Sequence, residues 1–342
     1  MPPRKRWMRQ PLSWQRGGAV ALFAVAVLMV AALVLDAGTS GEMREAAEYI
    51  EARGRTPSEA IESAGRSARI LLLSDIPSLP APKRVAAEAV RALAEGPGLD
   101  AVVLAVSSEE QPYIDAFLNA PGEDASVLLN RPAAVREADG VPRAFLDIYS
   151  AVYRMNQELG AARRIRIIAV DVPGWPPPEG ANPDEVASLY ASRTEHMLGR
   201  LDAELLERIP DARLLVFVDG YMALQRTQGS VRFAGGEPVR VAWLGERLRE
   251  RNPGQVRTVL LDAAAGTAGL QRIPAYEGTV LHRALRRELG SEDRAVRITG
   301  AFAGLEDPVI ETSSPALRMD VLPDGYTLAD VADVYVFLGR NR

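Results

Sequence analysis

ARILLLSDIPSLPAPKRVAAEAVRALAEGPGLDAVVLAV, residues 68–106, decides the fold class. Residues 68–74 and 101–106 are continuous apolar runs without polar alternation, the pattern of strands buried on both faces. Between them, 82–94 repeats its apolar residues at helical spacing. A strand, a helix and a second two-face-buried strand make a βαβ unit, and such units stack into parallel sheets. The same texture continues down the chain, with apolar runs at 165–171, 213–219, 256–262 and 333–339. Amphipathic stretches at 110–118, 142–159, 183–208, 244–251 and 278–289 lie among them. The predicted fold is α/β, a mainly parallel sheet with helices on both faces, covering 68–342. A hairpin, VRFAGGEPVRVAW (231–243), is expected beside it around the Gly235-Gly236 pair.

Several of these strands end in acidic or small polar residues: Ser74-Asp75, Asp171, Asp219 and Asp262. Ligands of open α/β sheets sit just beyond the carboxyl ends of the strands, so these residues mark where a site belongs. An Asp at a strand end also caps the following helix or turn, and for any single one that role suffices. The loop DVPGWPPPEGAN (171–182) is stiffened by Pro173 and Pro176–Pro178 and presents Trp175, either as a ligand or partner contact or as a cover for the core edge. The two histidines, His196 and His282, fall within helical patterns away from strand ends and read as surface or satisfied core residues.

Ahead of the α/β pattern, residues 17–35, GGAVALFAVAVLMVAALVL, contain no charge. As a helix they span about 28 Å, close to a hydrocarbon core. Arg4, Lys5, Arg6, Arg9 and Arg16 precede the run and Asp36, Glu42 and Glu45 follow it. The expectation is a transmembrane helix at 17–35 with residues 1–16 cytoplasmic, the main domain periplasmic or extracellular, and Trp7 and Trp14 at the headgroup level. A cleaved signal peptide shares the basic-then-apolar pattern, but Leu35-Asp36-Ala37 is a poor cleavage site. Residues 36–67 read as a linker with two helices, 42–53 and 57–64, that either pack on the domain or form a stalk.

The chain carries a formal charge of −5 and its first sixteen residues +5, so the remainder carries −10. That excludes both nucleic acid and anionic lipid as partners of the domain's bulk charge. With no cysteine there is no disulfide, thiolate metal site or cysteine nucleophile. Lysine occurs only at 5 and 83. Phosphate loops, nucleophile elbows, zincin helices and dinucleotide fingerprints are all missing.

The opening stretch, with FLDIYSAVYRMNQELGAARRIRIIAVDVPGW (145–175), RLLVFVDGYMALQ (213–225), WLGERLRERNPGQVRTVLLDAAAG (243–266) and ADVYVFLG (332–339), resembles the erythromycin-esterase and haem-uptake (Tiki-like) superfamily in order of elements and hydrophobic texture. The resemblance implies a first strand ending in a Gly-Glu-x-His motif, a second delivering Glu and a later one delivering His. Here Ser74-Asp75-Ile76-Pro77 stands at the first, Ala105 followed by Glu109 and Glu110 at the second, and Asp219-Gly220-Tyr221 at the third; only Asp171 matches. The chemistry implied needs imidazoles beside carboxylates. The reading is therefore a membrane-anchored pseudoenzyme, a scaffold or accessory subunit whose partners are the bilayer and other membrane proteins, with no cofactor and no metal. The alternatives are a hydrolase with a divergent carboxylate site built from Asp75, Asp171, Asp219 and Tyr221, or a haem or tetrapyrrole binder with Tyr221 as axial ligand. Trp175, Glu109, Trp7 and Trp14 are the candidate ligand or partner contacts.

Overall fold

The computed structural model describes residues 41, 44–76, 79–129, 142–160, 163–176, 182–226, 230–233, 239–240, 242–263, 280–305, 313–314, 317–320 and 327–339. The apolar run 17–35, with Trp7 and Trp14, lies outside them. Among the described residues no helix is long and apolar enough to cross a membrane.

All six apolar runs are strands of one sheet: β1 (Ile70–Asp75), β2 (Ala101–Ser107), β3 (Arg166–Asp171), β4 (Leu214–Asp219), β7 (Val256–Ala263) and β11 (Val334–Leu338). They pair in parallel, and the sheet order is β3-β2-β4-β1-β7-β11-β8. The seventh strand, β8 (Arg294–Arg297), is antiparallel to β11 at the edge. Its sequence, RAVR, has no continuous apolar run because an edge strand is covered less completely, which is why the sequence pattern missed it. The hairpin forms as β5 (Ser230–Phe233) and β6 (Val239–Arg240). It joins β9 (Ser313–Ser314) and β10 (Leu317–Asp320) in a second sheet of order β6-β5-β10-β9.

Alternate residues of the main strands feed two cores. Ile70, Leu72, Val103, Val216 and Val218 belong to one face; Leu71, Leu73, Val102, Leu104 and Phe217 belong to the other. The helices α3 (Pro80–Glu95) and α5 (Pro142–Leu159) cover the second face. The first is covered by α6 (Pro183–Leu201), α7 (Leu244–Arg251) and α8 (Val280–Leu289). α4 (Gln111–Asn119) flanks β3, where the Gln111 side chain both donates to Ile167 O and accepts from Ala169 N. α6 ends in a π-helical turn, Asp202–Leu206, inside the helix expected through 208.

The two N-terminal helices, residues 44–53 (α1) and Pro57–Arg66 (α2), pack on the body rather than standing off as a stalk. α1 buries Ala46, Ala47 and Ile50 in the first core, and α2 buries Ala60, Ile61 and Ala64 in the second. Thr56 and Glu59 form a capping box and Pro57 opens the helix, which fixes the reversal between the two. At that reversal Arg55 exchanges two backbone hydrogen bonds with Ala295 of β8. The Tyr49 ring stacks on Phe302 at 5.6 Å, and its hydroxyl lies 2.6 Å from Thr299 Oγ1. The chain therefore wraps around the edge strand, and the packed body begins near residue 44 instead of 68.

Candidate functional site

The strand register gathers the acidic residues at the carboxyl edge of the sheet. In the β1–β4 ladder Asp75 is the direct partner of Asp219, and in β2–β3 Ser107 is the partner of Asp171. Three of the candidate residues, Asp75, Asp171 and Asp219, thus stand at one edge of the sheet. What the sequence did not suggest is that each is already bound to a cation from a covering helix.

Arg193, in the middle of α6, holds two of them. Its Nε donates to Asp171 Oδ1 at 3.0 Å and its Nη2 to Asp171 Oδ2 at 2.5 Å, a bidentate pair. Nη2 also donates to Asp219 Oδ2 at 3.0 Å, and Nη1 to the Tyr221 hydroxyl at 2.5 Å. Tyr221 passes its own proton toward Asp219 Oδ2 at 3.0 Å. Four of the five guanidinium donors available to an arginine are consumed. Asp171 and Arg193 are 0% and 1% exposed.

Burial sets the protonation states. It opposes the charge on Arg193, but Tyr221, Asp219 and Asp171 more than offset it and hold the guanidinium well above its usual range. Burial raises Asp171 despite the attraction of Arg193. It also keeps Tyr221 a neutral phenol, well above its ordinary pKa. The hydroxyl is committed to Arg193 and Asp219, which argues against the axial-ligand role.

Asp75 turns to the other face, where Lys83 of α3 lies 2.8 Å away. Lys83 is wholly buried, donates to Ile76 O at 3.0 Å and sits 5.5 Å from the Phe145 ring centroid. Burial pushes the Asp75 carboxyl up to about 6, with Lys83 pulling the other way.

Trp175, in the turn that follows β3, covers this cluster. It places its ring 3.5 Å from the Arg193 guanidinium carbon and meets Tyr190 edge-on at 5.0 Å. Glu109, in the turn after β2, accepts from Gly174 N at 3.1 Å. Gly174 itself has φ +73°, a conformation that suits glycine. Glu109 and Trp175 therefore position and cover the buried ion cluster. Replacing Trp175 with Ala is expected to lower unfolding free energy by about 1–2 kcal/mol through loss of the cation–π contact and its packing, measured by urea denaturation.

His282 is buried in the core, one of the two places expected for it, but it is not away from the strand ends. Although it lies on α8, its Nδ1 is 3.4 Å from Asp262 Oδ1 at the end of β7, and Tyr335 donates to Asp262 Oδ2 at 2.6 Å. It faces a strand-end carboxylate, buried and packed on Phe337. His196 is half-buried on α6. Among the described residues no group of three or more His, Asp or Glu side chains is arranged to hold a metal. A cleft of about 780 Å³ between α2, α3 and α5 is lined by Glu62, Arg66, Glu88, Arg91, Asp147 and Arg154 and shares no residue with the strand-end cluster.

Sequence reasoning missed Arg193 and Lys83. Arg193 is one arginine among many in an amphipathic helix, and nothing local distinguishes it. Lys83 did carry a signal, as the only lysine beyond residue 5.

No protein-family model and no curated protein sequence matches the chain. Solved structures do. A mutant erythromycin esterase in its open conformation aligns with TM-score 0.54 and 11% identity over 83% of this chain and 93% of that one. A Bacillus cereus protein aligns with TM-score 0.56 and 11% identity over 86% and 97%. A succinoglycan biosynthesis protein gives TM-score 0.56 and 8% identity over 86% and 96%. At such identities the likeness is one of fold: this is an α/β protein with the architecture of erythromycin esterase and these two proteins.

Proposed function

We propose that the chain is a membrane-anchored, non-catalytic α/β domain that serves as a scaffold or accessory subunit of a membrane protein assembly, with the domain on the periplasmic or extracellular side. The observation supporting the non-catalytic part is the neutralisation of the strand-end carboxylates. A general acid, base or metal ligand needs an exposed lone pair or proton, and Asp171 and Asp75 are buried against Arg193 and Lys83. The anchor part rests on the uncharged run 17–35 and its basic flank. Full-length protein extracted in mild detergent is expected to co-purify with a stoichiometric membrane partner. Migration of the protein alone would sink the scaffold reading.

Two observations favour a second reading, an extracytoplasmic hydrolase: the fold is shared with an esterase, and a histidine–aspartate pair, His282 and Asp262, lies at a strand end. Ester hydrolysis by the purified protein that Asp262→Asn abolishes, with an unchanged urea midpoint, would establish that reading in place of the first.

A further inference from the structure

We propose that the amino-terminal edge of the main sheet is the face turned toward the bilayer, so that the buried ion cluster at the opposite edge points away from the membrane. This rests on the anchor reading and adds to it which surface meets the lipid.

The direction of α1 carries the inference. Tyr49 reaches Arg297 O and Thr299, at the end of β8 that pairs with Val334, the first residue of β11. Six residues later Arg55 pairs with Ala295, higher on the same strand. α1 therefore climbs alongside the parallel strands, and its first residue lies at their amino-terminal edge. Only residues 36–43 separate that point from the apolar run. Eight residues reach at most about 28 Å even when fully extended, whereas the eight residues of β7 alone span about 26 Å of the sheet, before the loops at either edge and a headgroup layer are added. The tether holds the domain close, with that edge toward the membrane.

Two features of the edge suit a headgroup layer. Ile209, after the π-helical turn, is 45% exposed, a large apolar side chain left open to solvent. Arg69, Arg164 and Arg213, also at this edge, direct their guanidinium bonds to neutral oxygens of Gln255, Asn119 and Ala68. Arg164 is exposed and Arg69 and Arg213 are half-buried, with Asp100 accepting from Arg213 N, so this edge carries a local group of arginines within a domain whose bulk charge is acidic.

The chain has no cysteine, so one introduced thiol labels one position. Ile209→Cys and Glu185→Cys are both exposed, and α6 with its π turn separates them by roughly 30 Å. Each full-length variant, carrying a fluorophore, is reconstituted in vesicles whose headgroups bear a nitroxide quencher. The expected result is loss of fluorescence at 209 and none at 185. Retention in the vesicles with quenching at 185, or equally at both positions, overturns the orientation and leaves the anchor standing. Protein that washes off the vesicles overturns the anchor and this proposal with it.

Discussion

Arg193→Met is expected to destabilise the domain by about 3–5 kcal/mol in urea denaturation at neutral pH, the cost of leaving buried carboxylates without their cation. The magnitude follows from the number of groups orphaned at once. Asp171 loses a bidentate partner, Asp219 loses a donor, and Trp175 loses the cation beneath its ring. Arg193→Lys recovers only part of the loss, because an ammonium cannot span both oxygens of Asp171 while reaching Tyr221. Replacing Arg193 and Asp171 together by apolar residues of matching volume costs less than Arg193→Met alone, since an absent ion pair is cheaper than half of one. If Arg193→Met unfolds at the same urea concentration as the parent, the ion cluster has no structural role.

The second large effect depends on pH. The Asp75 carboxyl titrates at about 6 in the folded protein against 3.8 for an ordinary aspartate. The folded state thus binds this proton more tightly than the unfolded state does. Its stabilising contribution is complete below about pH 4 and is lost as pH rises through 6, a change of about 3 kcal/mol. The parent, close in stability to Asp75→Asn in acid where the carboxyl is neutral, is expected to fall below that variant by about that amount as pH rises to 7. Lys83→Met removes the attraction that restrains the shift, so Asp75 titrates higher still. Its destabilisation is therefore greatest at neutral pH and fades in acid. Paired urea titrations at several pH values measure both; a pH-independent difference would contradict the assignment.

The layers of the fold were legible because strands buried on both faces leave uninterrupted apolar runs, as ILLL, AVVLAV and LLVFV do here. β8 was not legible, because an edge strand does not need such a run. The positions of Asp75, Asp171 and Asp219 were legible for a similar local reason: each ends an apolar run. Their states were not. Whether an aspartate is an open ligand or half of a buried ion pair is settled by residues such as Arg193, twenty-two positions from Asp171 and on another element. Periodicity places such a residue on a helix but does not say which carboxylate it meets. His282 shows the same limit, since its helix carries it back over the end of β7.

The wrapping of α1 and α2 around β8 bears on the order in which the molecule can be built. Tyr49 and Thr299 touch across 250 positions of sequence. Helix α1 must therefore wait for its contacts until the last strands of the sheet exist. Long-range closure of this kind slows folding. A chain that stops before residue 294 leaves that helix with no edge strand to close against.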